Sequence, residues 1–266
     1  MSSTPSTDAE WANLIHNFND RVPERSSSQP AIPLGVPRMI DHTLLSWPVE
    51  SKDIDALCAD AQKYDFASVC VRLENVSRAA ENLRTTPNIA VACVVGFPEG
   101  THDTVDKVRE AKDAVNQGAR ELDMVINYPE LKNGLYKSVY EDITAVRKAA
   151  PSPIILKAIV ESAELDRDQL IAASVVACMA GADFVKTSTG YKGPATVSSV
   201  TIMRLVVELF GTNCKVKASG GIRNASDCLK MIKAGATRIG TSSGIKIVQE
   251  LDEGEILEQG AGHAVY

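Results

Sequence analysis

The sequence predicts an α/β protein, a (β/α)₈ barrel of the TIM type carrying an N-terminal helical extension. Three observations carry that prediction. Eight apolar runs that fit strands alternate with eight segments of helical pattern. They occupy about 215 residues, the size such a barrel needs. A faint internal repeat adds to them: Gly118-Ala-Arg-Glu-Leu-Asp123, Gly181-Ala-Asp-Phe-Val-Lys186 and Gly235-Ala-Thr-Arg-Ile-Gly240 share one layout. In each, a glycine stops a helix, an alanine follows, and a strand begins. A doubly wound open sheet is the alternative, weakened because no GxGxxG follows the first strand.

In chain order, residues 1–36 are rich in Ser, Pro and charge, with one amphipathic patch at 11–18. They read as an appended arm with a short helix and a Pro-rich linker at 23–37, without a catalytic role. The barrel is expected over 37–250. Its strands are read at 39–42, 67–71, 89–95, 121–126, 154–160, 183–187, 215–218 and 238–241. Helices are read at 51–64, 75–84, 102–117, 136–149, 166–180, 196–210, 225–234 and 243–250. Ser51 and the stretch from Asn224 to Ser226 offer capping side chains. Residues 251–266 read as a flexible C-terminal tail.

Composition narrows the function. Hydrophobic content of 44% and charged content of 23% are those of an ordinary globular chain. A net charge of −6 leaves no electrostatic footprint for nucleic acid or an anionic membrane, so any bound anion must be held by a few groups in a pocket. No run approaches the roughly 20 apolar residues that span a bilayer. Residues 1–8 are polar and do not read as a secretory signal. Cys58, Cys70, Cys93, Cys178, Cys214 and Cys228 show no CxxC spacing and sit mostly in apolar runs. Buried free thiols in a reducing compartment are expected, and with them a cytoplasmic location.

Three neighbouring strands each carry a lysine in an apolar setting: Lys157, Lys186 and Lys217. A lysine in a buried strand is costly unless it is paired or uncharged. Convergent ammonium groups would lower one another's pKa and yield a neutral amine able to attack a carbonyl and form an imine. The repeat puts Asp123 and Lys186 at one height near the face where barrel active sites form, so Asp123 could shuttle protons. In the bland alternative, two of the lysines pair with Asp123, Glu121 or Glu161 and only brace the barrel.

Small-residue turns follow the last three strands: Thr187 to Gly190, Ser219-Gly-Gly-Ile-Arg223 and Gly240-Thr-Ser-Ser-Gly244. Turns of this kind leading into helices expose backbone N–H groups to an anion and point to a phosphate; singly, each is an ordinary βα turn. Metal chemistry is poorly supported, because His16, His42, His102 and His263 lie in unrelated segments. His42 reads as structural, and no GxSxG supports a hydrolase.

With these residues in place the chain resembles the deoxyribose-phosphate aldolase family, class I aldolases on a (β/α)₈ barrel. The resemblance rests on Ile40-Asp-His-Thr-Leu-Leu45, Ser68-Val-Cys-Val71, Val95-Gly-Phe-Pro98 and Glu121-Leu-Asp-Met-Val125. Leu156-Lys-Ala-Ile-Val-Glu161, Phe184-Val-Lys-Thr-Ser-Thr-Gly190, Val216-Lys-Ala-Ser-Gly-Gly-Ile-Arg223 and Ile239-Gly-Thr-Ser-Ser243 complete it in the same order. It implies reversible cleavage of 2-deoxy-D-ribose 5-phosphate to D-glyceraldehyde 3-phosphate and acetaldehyde, with no metal or organic cofactor. The alternatives are an imine-forming aldolase for another phosphorylated sugar and a silent phosphosugar-binding barrel.

The resemblance also assigns roles. Lys186 falls on the Schiff-base lysine, Lys217 on the second lysine that perturbs it, and Asp123 on the acid/base carboxylate. Phosphate-binding positions are Gly190, Gly220, Gly221, Ile222, Arg223, Gly240, Ser242 and Ser243. Asp41, Thr43 and Cys70 fall on pocket-lining positions. Tyr266, at the end of a glycine-containing tail, matches a terminal tyrosine that reaches the site in some members and aids proton transfer. Two departures stand out. Tyr191-Lys192-Gly193-Pro194 replaces a more glycine-rich continuation, which puts acceptor preference in doubt. The long arm either covers the barrel's bottom or takes part in a homodimer, and the sequence does not choose.

Overall fold

The structure, a computed structural model, describes residues 4–23 and 35–261. Eight parallel strands close in sequence order: β1 (Ile40–Thr43), β2 (Ser68–Val71), β3 (Ala90–Val95), β4 (Glu121–Val125), β5 (Ile155–Ile159), β6 (Phe184–Lys186), β7 (Lys215–Ser219) and β8 (Arg238–Thr241). A crossover helix follows each: α2 (Ser51–Tyr64), α3 (Val76–Asn82), α4 (Thr104–Asn116), α6 (Tyr136–Ala149), α7 (Arg167–Met179), α8 (Val197–Phe210), α9 (Ala225–Ala234) and α10 (Gly244–Ala261). Two more helices stand outside that alternation, α1 (Asp8–Asn19) in the arm and α5 (Tyr128–Lys132) after β4. No helix among the described residues is long and apolar enough to cross a membrane.

The strands read as near-continuous apolar runs because a parallel barrel buries both faces of its sheet. β5 shows the division. Leu156 and Ala158 face outward into the core under the helices, while Ile159 joins a separate apolar cluster with Cys70, Ala92, Val94, Phe97 and Val125. Lys157 lies on the same inward row as Ile159.

The ladder register, combined with the strand tilt that closure imposes, sorts the inward residues into layers of four from alternate strands. Ser68, Glu121, Phe184 and Arg238 form the lowest. Asp41, Ala92, Lys157 and Lys217 lie above them, then Cys70, Asp123, Lys186 and Gly240, then Thr43, Val94, Ile159 and Ser219. The common height read from the repeat for Asp123, Lys186 and Gly240 is one of these layers.

Four features differ from the sequence reading. Glu50, not Ser51, caps α2, in a reciprocal pair with Asp53. The five-residue α5 is new; Asn127 caps it by accepting the Glu130 N–H, and Pro129 suits its first turn. The last helix does not stop at 250, because Leu251 continues the buried face of Ile247 and Val248, and helix runs on to Ala261 where a flexible tail was expected. The arm helix lies on the barrel's flank, against α6 and α7, rather than across its bottom. Trp11 is fully buried there beside Tyr140 at 5.1 Å between ring centroids, and Phe18 stacks on Phe210 at 5.7 Å.

The arm is therefore part of the core. Replacing Trp11 with Ala is expected to lower the unfolding free energy by about 3–5 kcal/mol, the range for truncating a buried tryptophan. Urea denaturation measures it; a loss under about 1 kcal/mol would mean that the arm is only an appendage.

Candidate active site

A single buried carboxylate ties the barrel interior together. Asp123 meets the ammonium groups of Lys157 at 2.6 Å, Lys186 at 2.7 Å and Lys217 at 2.7 Å. Asp41 takes Lys217 at 2.5 Å, Lys157 at 3.3 Å and Arg238 at 2.6 Å, and accepts the Ser68 hydroxyl at 2.7 Å. Glu121 takes Lys157 at 2.5 Å and Arg238 at 3.1 Å. Four cations thus face three carboxylates, Asp41, Glu121 and Asp123, and the cluster balances when one lysine is neutral.

The surroundings single out which one. Burial, aided by the Lys217 ammonium and opposed by Asp123, holds Lys186 below the ordinary lysine range. Burial acts the same way on Lys217, but Asp123 and Asp41 outweigh it and raise its pKa. Lys157 is buried too, yet Asp123, Asp41 and Glu121 drive it well above the usual value. Mutual depression of all three lysines, expected from the sequence, is therefore corrected to one. The other two touch more than one carboxylate each. Burial alone would raise Asp123; the three lysines outweigh it and hold the carboxyl well below its usual range.

Lys186 is also the lysine that opens to a cavity. The space, about 380 Å³, lies at the C-terminal end of the strands. Its lining joins the β1 loop (Thr43 to Ser46) to the turns after β6, β7 and β8. On one side, Gly220 and Gly221 sit at φ +94° and +77°; a Cβ on Gly221 would meet Pro194 at 2.8 Å, so the backbone approaches as only glycine allows. A Cβ on Gly240 would meet Ser219 at 2.8 Å and the Lys217 stem at 3.0 Å. On the other side, Tyr191 sets its edge against Phe97 at 5.4 Å and Arg72 lies over Phe97 at 5.2 Å. Arg72 Nε and the Tyr191 hydroxyl both donate to the Leu45 carbonyl, at 2.9 and 3.4 Å. Four loops, those after β1, β2, β3 and β6, close that wall.

Among the expected site residues, Lys186, Thr43, Gly190, Gly220, Gly221, Ile222, Arg223, Gly240 and Ser242 line the cavity. Asp123 and Lys217 lie buried directly beneath it, in hydrogen-bond contact with Lys186 or its partner. Asp41 lies deeper than the lining, as the counter-charge of Lys217. Cys70 packs in the apolar cluster with its thiol 3.9 Å from Asp123, and burial pushes that thiol up to about 11. Ser243 stands just outside the lining, and its N–H is taken by the Thr241 hydroxyl at 2.9 Å. Tyr266 lies outside the described residues. Sequence reasoning missed Arg238; its only signal was a charge at the mouth of an apolar run, Arg238-Ile-Gly-Thr241. All six cysteines are free and buried. No group of three or more His, Cys, Asp or Glu among the described residues could hold a metal.

Comparison with known proteins adds a second line. Residues 36–250 match the model of the DeoC/LacD family aldolases. A deoxyribose-phosphate aldolase of Coccidioides immitis is 50% identical over 251 residues, covering 91% of each chain. One from Carboxydothermus hydrogenoformans is 47% identical over 83% of this chain and 96% of its own. A crystal structure from Coccidioides immitis superposes with a TM-score of 0.90 at 46% identity, over 95% of this chain and all of that one. The deoxyribose phosphate aldolase of Aeropyrum pernix, described as a tetramer, gives 0.75 at 30% identity over 82% and 91%.

The charge balance has a direct readout. With an amine-selective acylating reagent at mildly alkaline pH, Lys186 is expected to label first, with a midpoint below the ordinary value of about 10.4, while Lys157 and Lys217 stay protected. Asp123→Asn removes a group that raises the Lys186 pKa, so the midpoint moves down; the uncompensated lysines should cost about 3–5 kcal/mol of stability. Peptide mass spectrometry and urea titration check both. Equal labelling of Lys186 and Lys217 would contradict the assignment.

Proposed function

We propose that this chain, which belongs to the DeoC/LacD family of aldolases, cleaves 2-deoxy-D-ribose 5-phosphate to D-glyceraldehyde 3-phosphate and acetaldehyde, reversibly. It is a lyase of class I, working through an imine. The observation that carries the reading is Lys186: the one depressed lysine of the cluster, and the one that lines the cavity.

In this reading the neutral Lys186 amine adds to C1 of the open-chain sugar. The carbinolamine hydroxyl takes a proton and leaves as water, which gives a protonated imine. A base takes the proton of the C3 hydroxyl, the C2–C3 bond breaks, and its electron pair moves into the iminium as an enamine. The C3 fragment leaves as the phosphorylated aldehyde. Protonation of the enamine at C2 and hydrolysis of the imine release acetaldehyde and regenerate the amine. Asp123 touches both Lys186 and Lys217 through one oxygen, Oδ2, which suits it to pass protons, with a water completing the path to substrate. Lys217, held charged, keeps Lys186 depressed. The protonated imine is the electron sink, so no metal or organic cofactor enters.

The phosphate is read as lying against Gly190, the Gly220–Gly221 turn, Ile222, Arg223, Gly240 and Ser242, where the backbone leads into α9 and α10. Thr43 and the Tyr191 wall then flank the reacting carbons. A cytoplasmic location and a homodimer complete the reading. The buried free thiols fit a reducing compartment, and self-association is described for the Aeropyrum relative.

A coupled assay of glyceraldehyde 3-phosphate release tests the proposal. Deoxyribose 5-phosphate is expected to turn over, unaffected by EDTA, and Lys186→Leu, which leaves no surplus charge in the cluster, should lower kcat by more than about 10³-fold while the protein stays folded. Preference for ribose 5-phosphate would move the reading to an aldolase for another sugar. Binding without turnover of either sugar would leave a silent phosphosugar-binding barrel.

A further inference from the structure

Glu161 stands just beyond β5, where the chain has no evident need of a charged residue. Its neighbours continue the sheet: the Val160 N–H donates to the Lys186 carbonyl at 2.9 Å and the Ser162 N–H to the Thr187 carbonyl at 2.8 Å. Between them Glu161 turns into the left-handed region, φ +55° and ψ +59°. Only Asp65 shares a positive φ with it among the described non-glycine residues. That conformation is disfavoured for glutamate, whereas glycine or asparagine takes it readily. The side chain is fully buried as well. Two unfavourable choices at one position call for a compensating interaction.

The compensation is Thr189. Both Glu161 carboxylate oxygens lie 3.3 Å from the Thr189 N–H, and Oε2 accepts the Thr189 hydroxyl at 2.5 Å. The same hydroxyl oxygen accepts the Tyr191 N–H at 3.1 Å. One carboxylate thus fixes the residues on both sides of Gly190, and Thr189, Gly190 and Tyr191 all line the cavity while Glu161 does not. Thr189 offers two donors to the same group. A carboxylate receives both, whereas an amide would set its own N–H₂ against one of them. Burial, partly opposed by the Thr189 hydrogen bonds and the Lys186 ammonium, holds the Glu161 carboxyl above its usual range, as expected of a charge kept in place by few groups.

We propose that Glu161 is a positioning residue whose carboxylate holds the Thr189-Gly190-Tyr191 turn in the shape that receives the substrate's phosphate. The inference rests on the reading of that turn as part of a phosphate site. It places a determinant of phosphate affinity just beyond β5, outside the glycine turns that contact the anion.

The test compares Glu161→Gln and Glu161→Gly with the unaltered protein. Three quantities are read: kcat and KM for deoxyribose 5-phosphate, the same constants for unphosphorylated 2-deoxyribose, and the Kd of inorganic phosphate by calorimetry. Both variants are expected to raise KM for the phosphorylated sugar and the phosphate Kd about tenfold, the loss of one hydrogen bond to a charged group. The kcat should stay within about threefold, and KM for deoxyribose should rise much less than KM for its phosphate. Glycine relieves the backbone and so keeps the fold if glutamine does not. Unchanged phosphate Kd in a folded variant overturns the proposal, as does an equal loss on both sugars, which would make Glu161 a brace for the whole barrel. If the unaltered protein cleaves neither sugar, the aldolase reading fails separately, and the phosphate Kd alone decides; an unaltered protein that does not bind phosphate also overturns it.

Discussion

Everything in this barrel depends on the sharing of the Asp123 carboxylate among three lysines. An unpaired buried ammonium is too costly to survive folding, so each lysine in the interior must find a counter-charge or give up its proton. Lys157 and Lys217 each reach Asp123 and at least one further carboxylate. Lys186 reaches Asp123 alone, and shares it. The proton that the cluster cannot compensate is therefore given up by the lysine that faces the cavity. Bracing and reactivity come from one arrangement: the pairs that stabilise the interior are those that leave Lys186 short of compensation.

The layered interior explains how that arrangement is kept in place. Glu121 and Arg238 sit lowest, closing the network away from the cavity, with Arg238 over the Phe184 ring at 5.4 Å. Asp41, Lys157 and Lys217 form the next tier, and Asp123 and Lys186 the one above. Gly240 completes that upper tier with no side chain, which leaves room for the Lys217 stem and an opening over it. The apolar cluster around Phe97 and Val125 fills the remaining sector of the interior. Low local polarity there strengthens every charge interaction beside it. Loops after the later strands then shape the cavity's glycine-rich side, and loops after the first, second, third and sixth its aromatic wall.

Much of this was legible in the residue pattern, because a parallel barrel buries both faces of each strand and so writes its strands as short apolar runs. A lysine inside such a run is conspicuous, and Lys157, Lys186 and Lys217 stood out for that reason. What local pattern could not show was partner choice. Whether a lysine's pKa rises or falls depends on how many carboxylates its ammonium reaches across neighbouring strands, and that count follows from register and rotamer. The resemblance put Asp41 among the pocket-lining positions, yet it is turned under Lys217. Arg238 was passed over because its partners, Asp41 and Glu121, lie on strands distant in sequence, and Glu161, read as a possible lysine partner, instead meets Thr189 in the turn after β6. The continuation of α10 past residue 250 depends on Leu251 finding the face begun by Ile247, a tertiary fact that overrides the glycine signal.

The most direct test of the central claim is borohydride trapping with deoxyribose 5-phosphate, followed by mass spectrometry of the intact protein and its peptides. One reduced adduct is expected, on Lys186, absent from Lys186→Leu. An adduct on Lys157 or Lys217 instead would contradict the assignment of the neutral amine to Lys186, and with it the link between carboxylate sharing and reactivity.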